Sequence, residues 1–385
     1  TTYFNLAPRF GAAYQLYGKS GQEIILRGNI GVHYDLGQEH TGDAFADSLP
    51  FVTGSGAPAI VFDPHLELPY TLSWLVSLER ALGTHQSISA SYVSNAGRRL
   101  LHTQTLFDQN PDFPFLRLTT NAGRSDYRAL QVEYKGRFSS VFASSVFYTW
   151  GRSLDNVSED SARNVLMTSA NPALDRGPSD FDARHQLCGV VNYYLPAAFS
   201  TGWGNRLTRN WAVDSIVNLR SAKPVNVVYM FPTSFGVGYF RPDLIAGEPQ
   251  YIFDPALAGG RMVNPDAFVA PVGLEQGNLG RNSLRGFPIY QFDLALRRRF
   301  NFNESVSLQL EADAFNLFNH PNFEDPMARD RVLGGVFSDG AFTPNSTFGR
   351  SFSLLGQSLS GSDAFGSFYS TGGSRAMRLS VKFMF

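Results

Sequence analysis

The sequence predicts an all-β chain, part of an antiparallel transmembrane β-barrel of the outer-membrane type. About eleven long strands and long extracellular loops are expected of this partial barrel. Three observations carry the prediction. Apolar and polar residues alternate with period two in many segments, each segment runs about 9–12 residues, and short and long connections take turns between them. A tilted strand needs about 9–11 residues to cross a bilayer, against roughly 5–6 for a strand of a soluble domain.

The alternation is clearest at the end of the chain, where Met377, Leu379, Val381, Phe383 and Phe385 oppose Arg378, Ser380, Lys382 and Met384. In 305–314, Val306, Leu308, Leu310, Ala312 and Ala314 oppose Ser305, Ser307, Gln309, Glu311 and Asp313. In 290–297, Tyr290, Phe292, Leu294 and Leu296 oppose Gln291, Asp293 and Arg297. In 127–137, Leu130, Val132 and Tyr134 oppose Gln131, Glu133, Lys135 and Arg137; in 85–93, Ile88, Ala90 and Tyr92 oppose Ser87, Ser89 and Ser91. Further strands are read near 8–16, 23–34, 70–80, 140–150, 184–195 and 209–220.

Short links fall near 17–22, 81–84, 138–140, 196–208 and 301–304, and long ones near 35–69, 95–125, 151–183, 221–287 and 319–374. With Phe385 ending a strand in the periplasm, every short link lies on the periplasmic side and every long one outside. The run Val225–Tyr229 would break that parity as a separate span. It is read as part of the long loop, or as an extension of the strand before it.

Composition agrees. Charged residues make up 17% of the chain, below the roughly 25% of soluble proteins, and aromatics 14%, with 33 Phe and 16 Tyr. Mean hydropathy is only -0.15, so apolar and polar residues are finely interleaved. The net charge of -1 gives no basic surface for nucleic acid. The single Cys188 excludes an internal disulfide and a Cys-rich metal site. No apolar run reaches the roughly 18 residues of a membrane helix. The start, Thr1-Thr2-Tyr3-Phe4-Asn5, has no basic or apolar leader region, so a mature chain or a fragment is expected. An odd strand number and a first strand with nothing to close against point to a fragment, because open edges in lipid leave backbone groups unsatisfied.

Four motifs carry a family resemblance: Asn5-Leu6-Ala7-Pro8-Arg9-Phe10-Gly11, Ser179-Asp180-Phe181-Asp182-Ala183-Arg184-His185, Gly277-Asn278-Leu279-Gly280-Arg281-Asn282-Ser283-Leu284-Arg285-Gly286 and Phe315-Asn316-Leu317-Phe318-Asn319-His320-Pro321-Asn322-Phe323. In this order, and placed at strand ends, they resemble TonB-dependent receptors of the Oar-like group, which carry a carboxypeptidase-regulatory-like domain. The alternating segment ending in Phe383 and Phe385 is similar to the signal read by the barrel-assembly machinery. The resemblance implies a full barrel of about 22 strands, of which 1–385 would be the C-terminal half. The family's plug and regulatory-like domain are not visible in these residues. For the full receptor it implies energised uptake or passage of a large, unidentified ligand, with TonB and the receptor's own plug as partners.

Site residues follow from parity. Facing the lumen are Gln131, Glu133, Lys135, Gln291, Asp293, Arg297, Gln309, Glu311, Asp313, Arg378 and Lys382, which carry both signs. Pairing between them, Glu311 with Arg378 in particular, would hold the wall and the plug. Trp74, Tyr92, Tyr134, Trp150, Tyr193 and Trp211, with Phe300, lie at apolar-facing positions or strand ends, where interfacial girdles meet lipid. Loop 151–183 holds Asp155, Glu159, Asp160 and Asp175, with Asp180 and Asp182 near its end; their spacing matches no EF-hand, so solvated loop acids are expected rather than Ca²⁺ ligands. Asp182, Arg184 and His185 lack a nucleophile elbow, and His185 is read as an interfacial or lumen residue, Cys188 as a small filler. His320 has no His-x₃-His partner and belongs to a strand-exit turn shaped by Asn319, Pro321 and Asn322. The stretch Gly277–Asn282 lacks the Gly-Lys-Ser/Thr of a phosphate loop and reads as a loop folded onto the barrel rim. No catalytic residue, cofactor or metal is expected. Two other readings remain: a non-transporting structural or adhesion barrel, and a secreted carbohydrate-binding β-sandwich.

Overall fold

The computed structural model describes residues 5–35, 59–110, 113–158, 172–233, 236–271, 276–326, 332–333, 335–338, 341–344, 347–355 and 372–385. Eleven strands run in an unbroken antiparallel path in chain order. They are β1 Arg9–Tyr17, β2 Ile24–Tyr34, β3 Tyr70–Ala81, β4 Gln86–Asn110, β5 Phe113–Arg137, β6 Phe142–Asp155, β7 His185–Leu195, β8 Trp211–Arg220, β9 Ile289–Asn301, β10 Ser307–Phe315 and β11 Ala376–Met384. The eleven segments of two-residue alternation all become strands of this sheet. Among the described residues, β1 pairs only with β2 and β11 only with β10, so the sheet is open at both ends.

Register keeps one face predominantly apolar from strand to strand. One cross-strand row reads Tyr14, Leu26, Leu78, Ala90, Val132, Tyr148, Leu187, Leu219, Tyr290. The neighbouring row on the other face reads Arg27, Ser77, Ser91, Gln131, Thr149, Gln186, Arg220. A one-residue slip in any strand would send its apolar set to the polar face, so this agreement pins every register. Trp74, Val76, Trp150 and Leu379 on the apolar face are all exposed, and among the described residues no second sheet covers them. That rules out the secreted sandwich, whose inner faces must bury such side chains. An outer-membrane barrel surrounds them with hydrocarbon.

The periplasmic links are short, except that 196–208 holds a helix, α1 Gly202–Thr208. The extracellular side differs from the sequence reading. Residues 95–125 are not an irregular loop, because β4 and β5 are 25 residues each and stay paired as far as Asn110↔Phe113. Bulges near Leu100 bend this tall hairpin. Gly123 is required there, because a Cβ would lie 2.5 Å from the Leu100 carbonyl oxygen. A short parallel strand, Ala59–Phe62, joins the side of β5.

The loop 221–287 folds as well. Its short strands Pro224–Val227, Leu284–Arg285, Tyr251–Phe253 and Arg261–Val263 pair with one another or with neighbouring loop strands. They enclose a core of Val225, Val227, Tyr229, Val263, Ala267, Phe268, Leu279, Leu284 and Phe348. Val225–Tyr229 is thus part of the loop, as the parity argument requires, but it forms the loop's own core and does not extend β8. Burial pushes the Tyr229 phenol well above its ordinary pKa.

Candidate functional site

The polar face of the sheet carries pairs of opposite charge. Near the end of the chain, Arg378 binds Asp313 at 2.6 Å, Lys382 reaches Glu311 at 3.0 Å, and Gln309 donates to Glu311 at 3.1 Å. The expected pair, Glu311 with Arg378, is the longer contact at 3.9 Å. Register explains this, since Arg378 lies opposite Asp313 while Glu311 lies opposite Ser380. Arg297 binds Asp214 at 2.6 Å and lies over the Tyr194 ring, and Asn192 also donates to Asp214. Lys135 pairs with Glu133 along its own strand at 2.8 Å. Gln131 shares this face and lies opposite Thr149 and Ser91. At the periplasmic end a cavity of about 680 Å³ opens on this face, lined by Lys135, Arg137, Ser145, Asn192 and turn residues around Gly83.

Gln291 and Asp293 sit higher and serve the turn after β10. Asp293 accepts from the Asn316 backbone N–H at 2.8 Å, and Gln291 accepts from the Gly372 N–H at 2.6 Å. Asn316 and Asn319 take positive φ, and the Asn316 side chain accepts from the His320 N–H. His320 is therefore a turn residue, as its motif predicts. Asn322 is fully buried and accepts from the Tyr290 N–H, so it is a structural anchor of that motif.

Above the sheet the expected solvated acids are instead buried in ion pairs. Arg281 binds Asp155 at 2.5 Å, and Arg241 binds Asp175 at 2.5 Å, all four side chains being at most 2% exposed. Arg285 binds Asp182 at 2.7 Å, and Asp182 also accepts from the Ser153 N–H. Asp180 accepts from Asn282 at 2.6 Å. The Ser179–His185 and Gly277–Gly286 motifs therefore lock onto each other across the top of the sheet. Glu159 and Asp160 lie outside the described residues. Asp155, Asp175, Asp180 and Asp182 are thus all engaged by arginine or asparagine, and no cluster of metal-binding side chains occurs among the described residues. His102 is buried beside this network; burial lowers its pKa, the nearby Asp175 opposes the shift, and Arg281 adds to it. Burial pushes the Asp126 carboxyl up, but hydrogen bonds from Arg98 and Arg176 outweigh this and hold it below the usual range.

Asp214, Arg241 and His102 had no motif to mark them. Arg281 and Arg285 stood inside a quoted motif, but nothing there indicated carboxylate partners.

The aromatic positions mostly face outward. Trp74, Tyr92, Trp150 and Tyr193 are exposed on the apolar face. Tyr134 is half-buried and donates to Gln86 at 2.9 Å. Trp211 donates from Nε1 to the Leu207 carbonyl at 2.9 Å, and Arg298 lies over both its ring and that of Phe300. Trp203 on α1, absent from the sequence reading, is one of the most exposed rings. Phe383 lies on the apolar face, Phe385 follows the strand, and their rings are 6.2 Å apart. His185 is exposed and bonds the Tyr148 hydroxyl at 2.8 Å, while Cys188 is exposed on the polar face opposite Phe147.

A family model described as an outer membrane beta barrel domain matches residues 53–378. No curated protein matches the chain. Among solved structures, the outer membrane transporter YddB from Escherichia coli superimposes with a TM-score of 0.56 at 11% identity, over 99% of this chain and 40% of that one. The ferric-catecholate import receptor Fiu from Escherichia coli K12 gives 0.46 at 11% identity, over 98% of this chain and 34% of that one. A mutant of the ferric enterobactin receptor from Pseudomonas aeruginosa gives 0.47 at 11% identity, over 90% of this chain and 39% of that one. The chain spans about two fifths of the transporter YddB.

Proposed function

We propose that this chain, which belongs to the outer membrane beta barrel domain family, is the C-terminal half of a TonB-dependent receptor barrel of the Oar-like kind. Residues 1–385 would supply eleven of about 22 strands, the missing strands closing against β1 and β11. The full receptor would pass a large extracellular ligand, with its plug held against the charged inner wall and TonB supplying energy. Phe383 and Phe385 would present the assembly signal, and the outward aromatics would form the lipid girdle. One observation carries the reading: a polar face studded with paired charges runs unbroken across eleven spanning strands whose other face is apolar. A barrel closed from two halves of this width would enclose a space that side chains alone do not fill, as a plugged receptor requires.

The test uses the full-length receptor in its own outer membrane. A cysteine scan of its periplasmic N-terminal segment against the TonB C-terminal domain should yield disulfide cross-links that collapse when the membrane potential is removed. No cross-link at any position, with TonB present and competent for another receptor, would overturn the reading.

A second reading is favoured by one feature. The loops form a packed cap with its own core, which suits a non-transporting barrel that binds surfaces. Full adhesion with no receptor-dependent ligand passage, in TonB-competent and TonB-deficient strains alike, would select it.

A further inference from the structure

The outward face of β5 and β6 holds two arginines that the wall does not need. Arg128 and Arg152 lie directly opposite each other in the antiparallel ladder. Like charges so placed repel, which a sheet ordinarily avoids. Both are exposed, and neither makes a hydrogen bond or ion pair among the described residues. The acid one row above, Asp126, is already held by Arg98 and Arg176. An anion between the two guanidiniums would turn this repulsion into a bidentate clamp.

Their height identifies the anion. The row below them is apolar, with Val76, Tyr92, Leu130 and Trp150 in register. Phe138, at the periplasmic turn, and Arg128 are ten positions apart on one chain. That is about 33 Å along the strand and about 25 Å along the barrel axis at a tilt near 40°, the height of the apolar band of an outer-membrane barrel. The arginines therefore sit where hydrocarbon gives way to headgroups on the extracellular side. The Arg128 row continues through Ser94 to Trp74, and there an apolar groove of about 460 Å³ opens, lined by Phe10, Ile30, Trp74, Val76 and Tyr92. The small Ala12 and Gly28 form its floor.

We propose that Arg128 and Arg152 bind a phosphate of a phosphorylated outer-leaflet glycolipid, with an acyl chain of that lipid in the adjoining groove. Guanidiniums supply planar paired donors for phosphate oxygens, and the groove supplies a smooth apolar bed.

The experiment uses the full-length receptor purified from outer membranes in mild detergent. Native mass spectrometry measures the retained lipid, and titration with bis-phosphorylated lipid A measures affinity. The Arg128→Ser/Arg152→Ser pair should lower affinity at least tenfold, and Arg128→Lys/Arg152→Lys should lose less. Filling the groove with Gly28→Leu should weaken binding while leaving the arginines intact. Dephosphorylated lipid A should bind the native receptor no better than the serine pair binds the phosphorylated lipid. Heat-modifiable gel migration must be unchanged in each variant; if the serine pair fails this check, the lysine pair and Gly28→Leu carry the test. Equal affinity of native and serine-pair receptors would overturn the proposal. So would inorganic phosphate displacing the lipid at equal molar concentration, which would make the site one for a soluble anion.

Discussion

In the wall, Trp74, Val76 and Leu379 stay exposed, and cohesion comes from backbone ladders between strands adjacent in the chain. In the cap, Val227, Leu279 and Leu284 are buried, and Arg281 reaches Asp155, 126 residues away in the chain. Both regions belong to one polypeptide, yet they meet different solvents. Lipid rewards apolar side chains on the outside, so the wall needs no apolar interior. Water does not, so the cap must fold like a small soluble domain. The two regions should therefore respond to different perturbations.

The largest effect is expected from Arg281→Met. It leaves Asp155 and part of Asp180 buried without a counter-charge, which costs about 3–5 kcal/mol. Hydrogen exchange in the full receptor should rise across 172–182 and 276–287 and stay unchanged in β9 and β10. Equal loosening of the wall would show that the two regions are one cooperative unit. Next comes Leu284→Ala, which opens a hole in the cap core and should cost about 3 kcal/mol. Limited proteolysis of the loops should accelerate while the barrel still migrates as folded.

The pH response also separates the regions. Burial lowers the His102 pKa below its ordinary 6.5. The unfolded cap then binds the proton more tightly, so the stability contributed by His102 is complete above pH 6.5 and is lost as pH falls through the lower, folded value. Cap protection should decline below pH 6.5, and His102→Gln should flatten that decline. An unchanged profile in the variant would remove His102 as the cause.

Smaller effects belong to the wall. A double-mutant cycle on Arg378 and Asp313 should give a coupling of about 0.5–1 kcal/mol, because Arg378 is 40% exposed and screened. The same cycle on Arg378 and Glu311 should give less, and the reverse order would contradict the register. The smallest change is expected from Trp74→Leu, under about 1 kcal/mol in refolding into lipid, because one apolar group replaces another in the girdle.

The wall was legible because its signal is local. Alternation at residues 305–314 or 377–385 shows each strand without knowledge of its neighbour, and link lengths order the strands. The cap was not. Asp155, Asp175 and Asp182 read as solvated acids, because nothing near them in the chain reveals Arg281, Arg241 or Arg285. Residues 95–125 read as a loop because the bulges near Leu100 interrupt the period that marked the lower half of the same strands.

By itself, then, the amino-acid order determined which face of each spanning strand meets hydrocarbon, since that choice is made two residues at a time. Only the tertiary structure decided which charges meet, because a carboxylate's partner depends on register and loop folding over distances that no local pattern encodes.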